Sequence, residues 1–164
     1  MKVIEQTGMF TMTTPTPTFE RIDETLTLER LHDGEILIFT FHAPPSKDAV
    51  DRWYDTIVDY VTIRNTTDRW LVYDLTKPGI ETLTPYGRQR LREAANKYPN
   101  ATGRAAVIVP RNNPTFLLVR GFLLVNSIRQ YRKLIIQMYN ERENGLAWVL
   151  DGLQKRRQEK ARKA

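Results

Sequence analysis

The period of the apolar positions changes several times along the chain, and each change marks an element. Residues 25–31, TLTLERL, alternate apolar and polar in the period of a strand, and residues 35–42, EILIFTFH, continue as a second one. His32, Asp33 and Gly34 lie between them, and Asp-Gly is a strong hairpin signal. After Pro44 and Pro45 the period lengthens. Ser46 is placed to cap a helix in which Val50, Trp53, Tyr54, Ile57, Val58 and Val61 recur at three and four positions, ending near Asn65.

Residues 69–75, RWLVYDL, form a short apolar run suited to a strand buried on both faces. Thr84 and Pro85 open a second helix, striped by Leu91, Ala94, Ala95 and Tyr98. Residues 104–109, RAAVIV, give another buried strand, closed by Pro110, and Asn113 with Pro114 opens a third helix. Residues 133–139, KLIIQMY, read as a further strand. Asn140 and Glu143 start a last helix with Leu146, Val149, Leu150 and Leu153 on one side.

The order is β-β-α-β-α-β-α-β-α. Alternating strands and helices predict an α/β fold with a single mixed, mostly parallel sheet, an N-terminal β-hairpin and four helices. The expected sheet has about five strands. No internal repeat is visible. Residues 1–20, rich in Thr and Pro toward their end, read as a disordered leader, 21–153 as the folded domain, and 154–164 as a basic helical tail.

The third helix carries more apolar surface than one core requires. In TFLLVRGFLLVNSIR, residues 115–129, the runs from Phe116 to Val119 and from Phe122 to Val125 cover most of the helix circumference. One face meets the domain's own core, and the other needs cover. A second copy of the chain is the favoured cover, since a self-complementary patch suffices for an isologous contact and Gly121 permits close approach. The residues expected to form this interaction face are Phe116, Leu117, Val119, Arg120, Gly121, Phe122, Leu124, Val125 and Ile128. Cover by the chain's own tail or leader ranks next. A cavity for a lipid or other hydrophobic ligand between helices is the third reading.

Charge adds little to this picture once it is located. The net charge is +6, but residues 154–164 hold six cations against Glu159 and so contain five of those six charges. The folded body is nearly neutral. Such a tail is suited to an anionic surface, whereas nucleic-acid binding is argued against because no aromatic platform accompanies the cations. A solvated helix end is the simpler reading of the tail.

The chain has no cysteine and only two histidines, His32 and His42, which excludes thiol chemistry and a typical zinc site. The opening residues lack the apolar core of a secretory signal, and the apolar run at 116–125 is too short and broken to span a membrane, so a cytoplasmic location is expected. No phosphate-binding glycine motif occurs. His42 at a strand end and Asp74 at the carboxyl end of a parallel strand are the polar groups nearest to where α/β sheets bind ligands. An ordinary hydrogen bond for His42 and a loop cap for Asp74 are the simpler readings. Asp48, Asp51, Asp55 and Asp59 share a helix side with Lys47 and Arg52 and read as a solvated face. A non-catalytic protein without cofactor is expected.

The element order, the YDLT stretch at 73–76 and the acidic start and Ala-Trp-Leu pattern of NERENGLAWVL at 140–150 resemble the STAS-like (SpoIIAA-like) family, named for sulfate transporters and anti-sigma-factor antagonists. The resemblance covers roughly residues 25–153. The broader STAS-like fold includes domains that hold lipids or other hydrophobic ligands between helices. With the apolar face of the third helix, two function classes are expected: a non-catalytic interaction module, regulatory or scaffold-like, acting through a dimer or a partner protein, or a carrier or sensor of a hydrophobic small molecule. Anti-sigma-type members carry a phosphorylated serine in a D-S-S-G motif. Counting from Asp74, that place falls near Thr82 to Thr84, and Thr84 is the candidate phosphoacceptor, although the motif itself is missing and Thr84 suits a helix cap.

Overall fold

The computed structural model describes residues 17–77, 84–113, 116–121 and 133–163. A six-stranded sheet runs in the order β1-β2-β3-β4-β5-β6, so each strand lies beside its neighbour in sequence. β1 (Thr18–Arg21), β2 (Leu26–Leu31) and β3 (Ile36–Phe41) are antiparallel in turn. β4 (Asp68–Asp74), β5 (Thr102–Ile108) and β6 (Leu134–Tyr139) continue from β3 in parallel. The helices are α1 (Lys47–Arg64), α2 (Pro85–Lys97), a helical stretch at 116–121 (α3), and α4 (Arg142–Lys163).

From β3 onward the sheet grows in one direction, and right-handed crossovers then put the intervening helices on the same face. Leu37, Phe39, Leu71 and Ala105 pack there against Ala49, Trp53 and Ile57 of α1 and Ala94 of α2. Further along that face Leu75, Val107 and Val109 meet Val119 of α3. Among the described residues the opposite face is covered by α4, with Val149 and Leu153 over Ile36, Ile38, Trp70, Val72, Ala106 and Ile108. Two glycines let this helix lie close. A Cβ on Gly145 would collide with Ile108, and one on Gly152 would stand 2.6 Å from Arg104 Cδ and 2.8 Å from the Trp70 ring.

Local chemistry follows the expected signals. Glu35 N–H donates to the His32 carbonyl at 3.1 Å, and Asp33 and Gly34 between them both have positive φ, as a type I′ turn requires. Ser46 Oγ accepts from Ala49 N–H at 3.0 Å to cap α1, and Asn65 closes that helix in the left-handed region.

One strand departs from expectation. β1, Thr-Phe-Glu-Arg, has a single apolar residue, Phe19, and that side chain is 66% exposed. The strand is held by its ladder to β2 and by Glu20, which meets Arg30 at 2.7 Å and Arg52 at 3.3 Å. The sheet therefore has six strands, and the expected end of the leader at residue 20 falls inside β1. At the other end of the chain α4 runs unbroken through Leu153 into the basic tail.

Candidate functional site

α3 divides its apolar side chains between core and solvent. Val119 is 4% exposed and packs on Leu75, Val107 and Val109, with Phe116 partly buried beside it. Leu117 and Leu118 point the other way and are 73% and 70% exposed. Arg120 and Gly121 are also exposed, and nothing lies within 4 Å of where a Gly121 Cβ would stand. Phe122, Leu124, Val125 and Ile128 lie outside the described residues. Sequence reasoning placed Val119 in the interaction face and omitted Leu118. The structure reverses these two, because Val119 supplies the core contact and Leu118 the solvent-facing one.

The carboxyl ends of the parallel strands hold a polar group of residues on the α4 face. Arg142, in the first turn of α4, donates to Glu29 Oε1 at 2.6 Å and to Asp74 Oδ2 at 3.2 Å, and reaches Thr40 Oγ1 at 3.4 Å. Asp74 is 3% exposed, and its other oxygen accepts from the Thr76 amide at 3.0 Å and hydroxyl at 2.7 Å. Burial alone would lower the Arg142 pKa, but Glu29 and then Asp74 outweigh it and raise it. His42 Nε2 lies 3.0 Å from Thr27 Oγ1. These contacts tie β2, β3, β4 and α4 together, and every group has a structural partner. Asp74 does cap the following loop, as its position suggests.

Beside this cluster, the starts of α3 and α4 frame a cavity of about 310 Å³, lined by Phe116, Met138 and Tyr139 with Arg111, Asn140, Glu141 and Asn144 at its polar side. Its volume is at the lower end for small-molecule sites. Thr84 caps α2, its Oγ1 accepting from Gly87 N–H at 3.0 Å. On α1, Asp51 accepts from the Tyr86 hydroxyl at 2.6 Å and pairs with Arg90 at 2.6 Å, which holds its carboxyl below the ordinary range. No group of three or more metal-ligating side chains occurs among the described residues.

A third place is the tail of α4, three of whose cations, Arg156, Arg157 and Lys160, pair with carboxylates of the body. Arg156 Nε lies 3.2 Å from both oxygens of Asp68, at the start of β4, and Lys160 Nζ lies 2.8 Å from Oδ2. Arg157 pairs with Glu35, and Lys155 with Asp151 at 2.9 Å. Asp68 is 5% exposed; burial alone would raise its pKa, but Lys160, Thr102 and Arg156 outweigh that and hold it below its ordinary value. Sequence reasoning missed this site. Its signal was available, since 156 and 160 continue the inward row 145, 149, 152 at steps of three and four.

The sheet order, the packing of α4 on one face and the hairpin-first topology match a solved structure. An uncharacterized protein of the DUF3478 family with a SpoIIAA-like fold, from Shewanella loihica PV-4, superposes with a TM-score of 0.56 over 84% of this chain and 98% of that one. This chain has a SpoIIAA-like fold. The two sequences are 13% identical, so the SpoIIAA-like likeness is one of architecture. No family model and no curated protein matches the sequence. Among the described residues, no helix of this SpoIIAA-like domain is long and apolar enough to cross a membrane.

Proposed function

We propose that this protein is a non-catalytic, cytoplasmic interaction module of bacterial type that works by self-association and partner contact through the outward face of α3. The observation that carries this is the pair Leu117 and Leu118, both largely in solvent next to a core residue of the same helix turn. Adjacent exposed leucines are costly to leave in water, each full burial being worth about 1.5–3 kcal/mol, and such patches usually serve binding. The carboxyl-end polar groups support the non-catalytic part, because Asp74, Glu29, Arg142 and His42 are engaged in contacts that join sheet and helix.

The test is the solution mass by light scattering of the wild type and of the Leu117→Glu/Leu118→Glu variant. A dimer that becomes a folded monomer on substitution supports the proposal. A wild type that is monomeric at every concentration contradicts self-association.

A carrier or sensor of a hydrophobic small molecule is the second reading, favoured by the cavity between the starts of α3 and α4 with its wall of Phe116, Met138 and Tyr139. Mass spectrometry of an organic extract tests it, and an extract without a stoichiometric ligand counts against it. Neither reading uses the basic tail as an anionic-surface anchor. Four of its six cations already have partners within the chain.

A further inference from the structure

We infer that the last three turns of α4 form a releasable electrostatic clasp, shut on Asp68 and Glu35 and separable from the rest of the helix. Two different forces hold the two halves of α4. Up to Leu153 the helix is seated by apolar burial, with Gly145, Val149, Gly152 and Leu153 buried against the sheet. Beyond Leu153 no residue is buried, and only Arg156 is partly so. The sequence there, QKRRQEKARK, offers no large apolar side chain that could hold it. What remains is charge: Arg156 and Lys160 on Asp68, and Arg157 on Glu35.

The anionic side of the clasp is fixed in place. Asp68 also accepts from the Thr102 hydroxyl at 2.8 Å, and the Glu35 carbonyl accepts from the Tyr60 hydroxyl at 2.8 Å, which anchors that residue to α1. The cationic side is the last three or so turns of α4, which no burial holds, and an unburied helix end frays in water once its pairs are lost. Its cations, Arg156 at 38%, Arg157 at 53% and Lys160 at 61% side-chain exposure, are open to screening. Release would give up the three pairs, free the tail's cluster of positive charge and uncover the Asp68 carboxylate at the edge of β4. Nothing in the seating of Val149 or Leu153 would have to change.

Hydrogen exchange of the full chain, followed residue by residue at low salt and in about 1 M NaCl, tests the clasp. Amides of 154–163 are expected to exchange about tenfold faster in high salt, as three partly exposed pairs of about twofold each would give. Amides of 146–153 should be unchanged. Glu35→Gln and Asp68→Asn should give the same pattern at low salt. Should Asp68→Asn fail to fold, the exposed-side variant Arg156→Gln/Lys160→Gln carries the test, with folding checked by near-ultraviolet circular dichroism. Tail protection that is indifferent to salt and to these substitutions overturns the inference. So does a loss of protection spread evenly over the whole of α4, since the two halves would then be one unit.

Discussion

The Arg156 guanidinium and the Asp68 carboxylate meet at the start of β4, Nε at 3.2 Å from both carboxylate oxygens, 88 positions apart in the chain. Asp68 starts a central strand and is almost fully buried while the tail is docked, so in that state its charge relies on the α4 cations and Thr102. Asp68→Ala removes the anion and leaves its partners in water. Arg156→Gln leaves the buried carboxylate with one cation fewer. We expect the second to lower the melting temperature, and Arg156→Gln combined with Asp68→Asn to lower it by less than the sum, a coupling that a thermal-melt double-mutant cycle measures.

The same carboxylate sets an acid limit. Asp68 is held below its unfolded value of about 3.9. A depressed carboxyl contributes stability that is fully present above that value and is lost as the pH falls through the lower, folded one. Stability is therefore expected to fall below about pH 4, and the Asp68→Asn variant should show a shallower acid slope than the wild type in denaturant titrations.

The alkaline limit has a different source. Tyr60 is buried, its hydroxyl donates to the Glu35 carbonyl, and burial pushes its pKa up to about 12. A raised pKa contributes stability that is complete below the unfolded value of about 10 and is lost as the pH rises through the folded one. Tyrosinate absorbance should show one tyrosine ionising last and together with unfolding, and Tyr60→Phe should remove that step.

Close packing of α4 makes a steric prediction. Gly152→Ala gains about 1 kcal/mol of helix propensity. It also drives a methyl into the Trp70 ring, where overpacking costs about 1–3 kcal/mol. A net loss of stability is expected from chemical denaturation, with Gly121→Ala, which meets nothing, as the opposite control.

Much of this architecture was legible in the sequence because hydrophobic period and capping residues agree locally. Ser46 and Thr84 cap the helices they were expected to cap, and the hairpin turns at Asp33-Gly34. β1 was not legible, since Thr18–Arg21 has one apolar residue and owes its place to a ladder and to ion pairs made by residues far along the chain. The clasp was hidden for a related reason. A cation on an inward helix position looks like surface until a buried carboxylate from another element is seen to face it. The split of α3 into Val119 inward and Leu118 outward depends on how that helix is rotated, which composition around a nearly all-apolar circumference does not encode.

The outward face of α3 is the centre of the functional proposal, and the absence of cysteine makes it simple to probe. A spin label attached through Leu118→Cys reports the distance to its equivalent in a second copy, with a label at Ile63→Cys, exposed near the end of α1, as the reference. Self-association through α3 predicts a strong, short intermolecular distance at 118 and a longer one at 63. No dipolar coupling at 118 in a folded, concentrated sample would contradict it.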